Sequence, residues 1–236
     1  MEKEYLVNEI FLSLQGEGYW TGTPMVFVRF SGCNLRCPFC DTDHSSSTPY
    51  TLPALLSAVA FTAVMADSDR PSPSTPAPVR RVCLTGGEPA LQVDAALVDA
   101  LHEAGFTVHI ETNGTRPLPP GLDWVTLSPK SDFVAAPAAV MADPDRPSPA
   151  TVVLPSADEL KLVFTGARHG RPDRPSPASA PDTVGCWLSF PARHHFLQPC
   201  WSAASGAANV AETVSYILSH PGWRLSLQTH RILGLR

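Results

Sequence analysis

The chain has 236 residues, of which 44% are hydrophobic and 17% charged; that is enough apolar side chain for one sizeable core and excludes a disordered or fibrous polymer. The formal charge is −5, so no basic excess exists to hold a phosphate backbone, and no stretch approaches the ~18 consecutive apolar residues of a membrane span. The start, MEKEYLVNEIF, lacks a basic segment followed by an apolar one, so a soluble, cytoplasmic protein without a secretory leader is expected.

In chain order, Pro24–Gly32 reads as a buried strand and Leu52–Met65 as an apolar-faced helix. Arg81–Thr85 is a short strand running into glycines, and Leu91–Ala104 an amphipathic helix after them. Strands follow at Phe106–Ile110, Trp124–Leu127, Leu160–Phe164, His195–Leu197 and Arg224–Leu227, with a helix near Ala208–Ser219. This alternation predicts a single α/β domain over 1–236 with a mostly parallel sheet, open or curled into part of a barrel. In such sheets chemistry gathers at the carboxyl ends of the strands, where the polar motifs of this chain fall.

Proline is over-represented, at 25 residues against 15 glycines. The segment DRPSP occurs at 69–73, 145–149 and 173–177, with unequal spacing, so it is not a solenoid period. Proline fixes φ and removes a donor, which places these stretches in loop insertions near 66–79, 142–150 and 168–182.

The six cysteines are Cys33, Cys37, Cys40, Cys83, Cys186 and Cys200. Three crowd into C-x3-C-x2-C after the first of these strands, which in a reducing compartment points to metal; the scattered three are expected as small buried hydrophobes. Three thiolates can hold three irons of a cubane cluster and leave the fourth for a small molecule bearing an amine and a carboxylate. A zinc site of Cys33, Cys37, Cys40 and His44 is the rival reading of the same spacing. Phe39 would either join the core or set a ring against a planar ligand. Thr85–Pro89 (TGGEP) closes a strand and precedes a helix: its glycines allow close backbone approach, and Glu88 could accept from an ammonium.

GCNLRCPFC followed by TGGEP resembles the radical S-adenosylmethionine superfamily. Within it SLQGEGYWTG, FVRFSGCNLRCPFCDTD, TGGEPALQ, ETNG, LSPK, ELK, FLQP and LQTHRILGLR resemble, in family order, the 7-carboxy-7-deazaguanine synthases. The resemblance implies a shortened, partial (β/α) barrel of the radical SAM type and a [4Fe–4S] cluster on Cys33, Cys37 and Cys40. S-adenosylmethionine would chelate the open iron and be cleaved by one electron to a 5′-deoxyadenosyl radical, with Phe39, Gly87, Ser128, Pro129, Lys130 and Gln198 around it. Thr42 corresponds to the family's Mg²⁺ ligand, an oxygen donor of the kind this ion prefers.

The implied substrate is 6-carboxy-5,6,7,8-tetrahydropterin, contracted to 7-carboxy-7-deazaguanine with release of ammonia and regeneration of S-adenosylmethionine. Leu14, Gln15, Gly16, Glu17 and Thr85 would line its pocket, and Arg29 would grip its carboxylate with a planar fork. His230 and the carboxylate of Arg236 would belong to a tail that closes over it. A flavodoxin or ferredoxin is the implied electron donor and a homodimer the implied assembly, with no nucleic-acid or membrane partner. The rival functions are an activase for a glycyl-radical enzyme and a zinc-stabilised interaction module.

Overall fold

A computed structural model describes residues 3–37, 40, 42–43, 45–64, 78–130, 134–135, 150–166, 184–202 and 207–235. All three DRPSP copies lie outside the described residues; Ala150, at the end of the second expected insertion, is part of a short strand. The elements are β1 (Glu4–Leu14), β2 (Pro24–Phe30), β3 (Thr48–Thr51), α1 (Leu52–Val64), β4 (Arg81–Gly86), α2 (Ala95–Glu103), β5 (Thr107–Thr112), β6 (Trp124–Leu127) and β7 (Val134–Ala135). They continue with β8 (Ala150–Thr151), β9 (Ala157–Phe164), β10 (Ala192–Pro199), β11 (Trp201–Ser202), β12 (Ala207–Ala208), α3 (Val210–Ser219), β13 (Arg224–Leu225) and α4 (Thr229–Ile232).

Nine of the described strands form one sheet in the order β13-β10-β9-β6-β5-β4-β2-β1-β3. From β2 to β13 every pairing is parallel, and β1 and β3 add an antiparallel edge. The mostly parallel α/β sheet expected from the sequence is therefore present. β1 and β3 were not expected, because Glu4, Asn8 and Glu9 interrupt the apolar pattern of the first strand.

Side chains alternate across this sheet, and the two faces differ in chemistry. One face carries Val26, Val28, Phe30, Val82, Leu84, Val108 and Ile110, packed on Leu55, Val59 and Ala63 of α1 and Leu97, Val98 and Leu101 of α2. Leu127, Leu160, Leu162, Phe164 and Leu197 continue that face against Trp187, Phe190 and Trp223. The register puts Arg29 beside Thr85, and Glu111, Thr126, Glu159 and His194 in one row across four neighbouring strands, all on the other face. A bulge between Val7 and Glu9 switches β1 from one face to the other. Before it Tyr5 and Val7 join the large core; after it Phe11 stacks on Phe27 across the inner face.

The polar face is concave. In a flat sheet β1 and β10 would stand roughly 29 Å apart at ~4.8 Å per strand. Instead the loop after β1 bonds directly to the segment after β13, with Gly18 N–H on Ser226 Oγ at 2.9 Å and Thr229 N–H on Gly16 O at 2.9 Å. The sheet is thus a partial barrel whose open seam is bridged by these contacts.

Of the expected helices, the one near Ala208–Ser219 starts at Val210, with Ala208 in β12, and Leu91–Ala104 changes most. Pro89–Leu91 is a 3-10 turn capped by Glu88, and α2 starts only after Asp94, whose carboxylate accepts from Leu97 N–H at 3.0 Å. Asp94 is held there by Lys3 Nζ at 2.5 Å and the Tyr5 hydroxyl at 2.9 Å, so contacts from β1 fix the start of α2.

Candidate active site

The concave face encloses a cavity of about 450 Å³ at the carboxyl ends of the parallel strands. Cys33, Cys37, Cys40 and Thr42 line it from the loop after β2; Thr85 and Gly87 from β4; Ser128 and Lys130 from β6; Gln198 from β10. Leu14, Gln15, Gly16, Glu17 and Arg29 line the side near β1, and His230 the side of the C-terminal tail. Pro129 lies in the turn between Ser128 and Lys130 but is not part of the wall. Phe39, His44 and Arg236 lie outside the described residues.

The cysteine loop is held by backbone. Gly87 N–H donates to Phe30 O at 3.0 Å and Glu88 N–H to Gly32 O at 2.9 Å. A Cβ on Gly87 would stand 1.9 Å from Gly32 O, and one on Gly86, whose φ is +121°, 2.3 Å from Phe30 O. The two glycines are thus what lets β4 lie against the root of the cysteine loop. Asn34 adds a second anchor, donating to Thr115 Oγ1 at 2.8 Å and accepting from Asn113 Nδ2 at 3.0 Å.

Glu88 lines the cavity, and its hydrogen bonds among the described residues are to the protein itself. Its carboxylate accepts from Thr112 Oγ1 at 2.6 Å, Asn113 N–H at 2.7 Å and Ala90 N–H at 3.0 Å, and so clamps β5 to the turn after β4. Burial raises its pKa and these three donors oppose the rise.

Among the described residues no disulfide forms, and all six cysteines belong to that set. Within that set no three His, Cys, Asp or Glu side chains are close enough to hold one metal ion. Cys33, Cys37 and Cys40, three thiols of one loop lining one cavity, are nevertheless the kind of donor set that would hold an iron–sulfur cluster. Burial raises the Cys33 thiol pKa, while Leu35 N–H and the Lys130 ammonium favour the thiolate. Of the scattered cysteines, Cys83 is buried as expected; Cys200 instead lines the cavity beside Trp201.

Arg29 meets three partners. Its Nε donates to Glu9 Oε1 at 2.7 Å, its Nη1 reaches Thr42 Oγ1 at 3.3 Å, and its guanidinium lies 5.7 Å from the Phe11 ring centre. It is a fixed site residue, not a solvated surface arginine, and it brings the expected anion grip next to the expected Mg²⁺ ligand. Asp43 turns inward on its own loop, accepting from Ser45 N–H at 2.9 Å.

The floor is an ionic network that the motif assignments passed over. Lys161, 3% exposed at its side chain, donates to Glu17 Oε2 at 2.5 Å and Glu111 Oε1 at 3.3 Å. Burial alone would lower the lysine pKa, but Glu111, Glu17 and Glu159 outweigh it and raise it. Gln15 Nε2 donates to Glu111 Oε1 at 2.9 Å while its Oε1 accepts from Glu17 N–H at 3.1 Å. Thr85 Oγ1 approaches Glu111 Oε2 at 3.5 Å. Gln15 and Thr85 therefore spend hydrogen bonds on arranging the floor. Glu111 and Lys161 sit inside ETNG and ELK; what could have singled them out is their two-residue period with His109 and Glu159, which puts polar groups on one face of otherwise apolar strands.

The tail runs along the rim. Gln228 Nε2 donates to Glu17 Oε1 at 2.9 Å, Arg231 Nε to Gln228 Oε1 at 3.1 Å, and the Arg231 guanidinium lies 5.0 Å from the Trp201 ring centre. His230 packs so tightly on Gly16 that a Cβ there would stand 2.1 Å from its Nδ1. Gln198, 5% exposed, accepts from Ser226 Oγ at 3.0 Å. Lys130 Nζ donates to Ser128 Oγ at 2.9 Å, and Ser128 N–H to Thr112 O at 2.7 Å, so that turn is tied to β5.

Residues 27–132 match the model of the Radical SAM superfamily. The chain is 42% identical over 230 residues to the 7-carboxy-7-deazaguanine synthase of Bacteroides thetaiotaomicron, covering 98% of each chain. It is 40% identical to the enzyme of that name from Bordetella pertussis, over 98% of this chain and 99% of the other. Its fold superposes on the crystal structure of QueE from Escherichia coli with a TM-score of 0.62 and 25% identity, covering 95% of this chain and 93% of that one.

Proposed function

The chain belongs to the 7-carboxy-7-deazaguanine synthase family of the radical SAM superfamily, and from that premise we propose how its residues divide the work on a pterin. The enzyme is a radical SAM carbon–nitrogen lyase that converts a pterin precursor to a 7-deazaguanine. The finer reading takes 6-carboxy-5,6,7,8-tetrahydropterin as the substrate and ammonia as the leaving group. Its main support is the convergence of the cysteine loop, Arg29 and Thr42, the Lys161 network and the C-terminal tail on one cavity of about 450 Å³, in the range of small-molecule sites.

Cys33, Cys37 and Cys40 would hold a [4Fe–4S] cluster. With S-adenosylmethionine bound, that cluster supplies a carbon-centred radical able to take hydrogen from an unactivated carbon. The chain's own part is positioning and exclusion of water. Gly87, Ser128, Lys130 and Gln198 would form the wall beside the methionine end, with Pro129 shaping the turn between Ser128 and Lys130. Arg29 would bind the substrate carboxylate with the Nη groups left after Glu9 takes its Nε, and Thr42 would give Mg²⁺ one oxygen. Glu17 and Glu111, fixed by Lys161, face the bicycle's polar edge with Gln15 and Thr85. Leu14, Gly16 and His230 would close the rim, and the carboxylate of Arg236 would act with them on the substrate. Among the described residues no helix is long and apolar enough to cross a membrane. A cytoplasmic homodimer reduced by a flavodoxin or ferredoxin completes the proposal.

Reconstituted enzyme, Mg²⁺, S-adenosylmethionine, reductant and the pterin, mixed without oxygen, test it. Multiple turnovers to a carboxylated deazaguanine and ammonia, with little net loss of S-adenosylmethionine, are expected. Stoichiometric cleavage of S-adenosylmethionine with the pterin untouched would instead fit an activase of a glycyl-radical enzyme.

A further inference from the structure

Below the active-site cavity, the inner face of the sheet leads into a second, smaller chamber of about 10 Å³. Gln15, Glu17 and Glu111 form a wall common to both spaces. His109, Thr126 and Glu159 line the far side, with the Trp20 and Trp124 rings packed at 5.4 Å between centres. A volume of about 10–15 Å³ is what a single water needs.

The polar groups around the chamber fit one water. His109 is 3% exposed, and its Nε2 has no hydrogen-bond partner among the described residues. Trp20 Nε1 is buried and also lacks a partner within that set. Thr126 Oγ1 already accepts from Trp124 Nε1 at 3.2 Å, which leaves its hydroxyl hydrogen to be donated elsewhere. A water can accept from Trp20, donate to His109 and bond to the Glu159 carboxyl, which removes the cost of two orphaned polar atoms.

Charge balance marks which chamber group carries a proton. The Lys161 ammonium bonds to Glu17 and Glu111, whereas Glu159 accepts from Tyr19 N–H at 3.0 Å. Three carboxylates around one buried ammonium leave an excess of negative charge, and Glu159 is the one of the three that does not bond to the ammonium. Burial pushes the Glu159 carboxyl up to about 7; Lys161 and Tyr19 N–H oppose the rise, and Glu111 and Glu17 add to it. His109 cannot neutralise it, since burial and Arg81 push the imidazole down to about 4. His194, level with Glu159 on β10, is also held below its ordinary value, by burial, Arg224 and Arg193.

We propose that one buried water fills this chamber and makes Glu159 a proton store for the pocket. The acid gives its proton to the water, the water gives one to Glu17 or Glu111, and the reverse transfer restores the store. The inference rests on the pterin-converting reading, in which C–N cleavage and ring aromatisation require proton movement at the pocket floor. Glu159 acts through Glu17 and Glu111, so it is a positioning residue.

Two measurements on reconstituted wild-type and Glu159→Gln enzyme test this, both run from about pH 5.5 to 8.5: pterin turnover, and the infrared carbonyl band of a protonated carboxyl. The wild type should lose one such band as pH rises through about 7, and the variant should lack it throughout. The variant's kcat should fall about tenfold and lose its inflection near neutral pH, with KM within about twofold. Glu159→Asp keeps an acid and should keep both band and inflection, which serves if the glutamine variant does not fold. A wild type without the band, or a Glu159→Gln enzyme with the wild-type kcat profile, would overturn the proposal. If the wild type ignores the pterin, the functional reading fails on its own and the infrared band still decides the proton store.

Discussion

Replacing Lys161 by Met would leave Glu17 and Glu111 facing each other across the floor without their shared ammonium. Breaking a buried pair from one side costs about 3–5 kcal/mol, so the Lys161→Met enzyme should unfold at clearly lower denaturant; a loss under about 1 kcal/mol would contradict the network. Gly87→Ala tests a different kind of constraint, because its Cβ would meet Gly32 O at 1.9 Å. Iron bound per chain after anaerobic reconstitution should drop severalfold, and full iron with full turnover would show that the cysteine loop tolerates displacement. His109 predicts a pH dependence of stability. Its pKa is about 4 in the folded protein against 6.5 as the ordinary value, so between them the unfolded chain binds the extra proton. Its contribution is complete above about pH 6.5 and falls as pH is lowered towards about 4, levelling below that. Unfolding of His109→Phe across that window should show a shallower acid slope than the wild type; equal slopes would place the titration elsewhere.

The elements were legible to different depths. β6 has the bounds expected from sequence, Trp124–Leu127, because a short apolar run between turn residues has few other solutions. β1 was missed, since its bulge puts Tyr5 and Val7 on one face and Glu9 and Phe11 on the other, which hides the period of two. α2 starts later than its apolar pattern suggests because Asp94 is fixed by Lys3 and Tyr5, residues distant in sequence. The motif residues of the cavity could be named from sequence and Glu111 and Lys161 left only the trace of a polar two-residue period, whereas Gln228 and Arg231 left none, because their roles depend on which strands and loops meet. At this scale the tail carries the prediction. α4 is docked by Thr229 on Gly16 and by Gln228 on Glu17, far from the cysteine loop's own anchors. Ending the chain after residue 227 should raise KM for the pterin by about tenfold or more while leaving bound iron unchanged. An unmoved KM would show that the tail does not close the pocket.

Across the whole molecule, a sheet that is apolar outside and polar inside curls until its first and last strands serve one space. The apolar face binds the helices; the polar face, too rich in charge to be a core, is left for ligands. Its upper layer presents three thiols of one loop and its lower layer a fixed set of acids, and in the proposed function these neighbouring walls of one cavity would divide radical generation from substrate binding. The most direct measurement is electron paramagnetic resonance on oxygen-free, reconstituted protein reduced with dithionite, before and after S-adenosylmethionine is added. The account predicts a reduced iron–sulfur signal whose shape changes on that addition and which disappears in Cys37→Ala. A silent spectrum, or one that S-adenosylmethionine leaves unchanged, would contradict it.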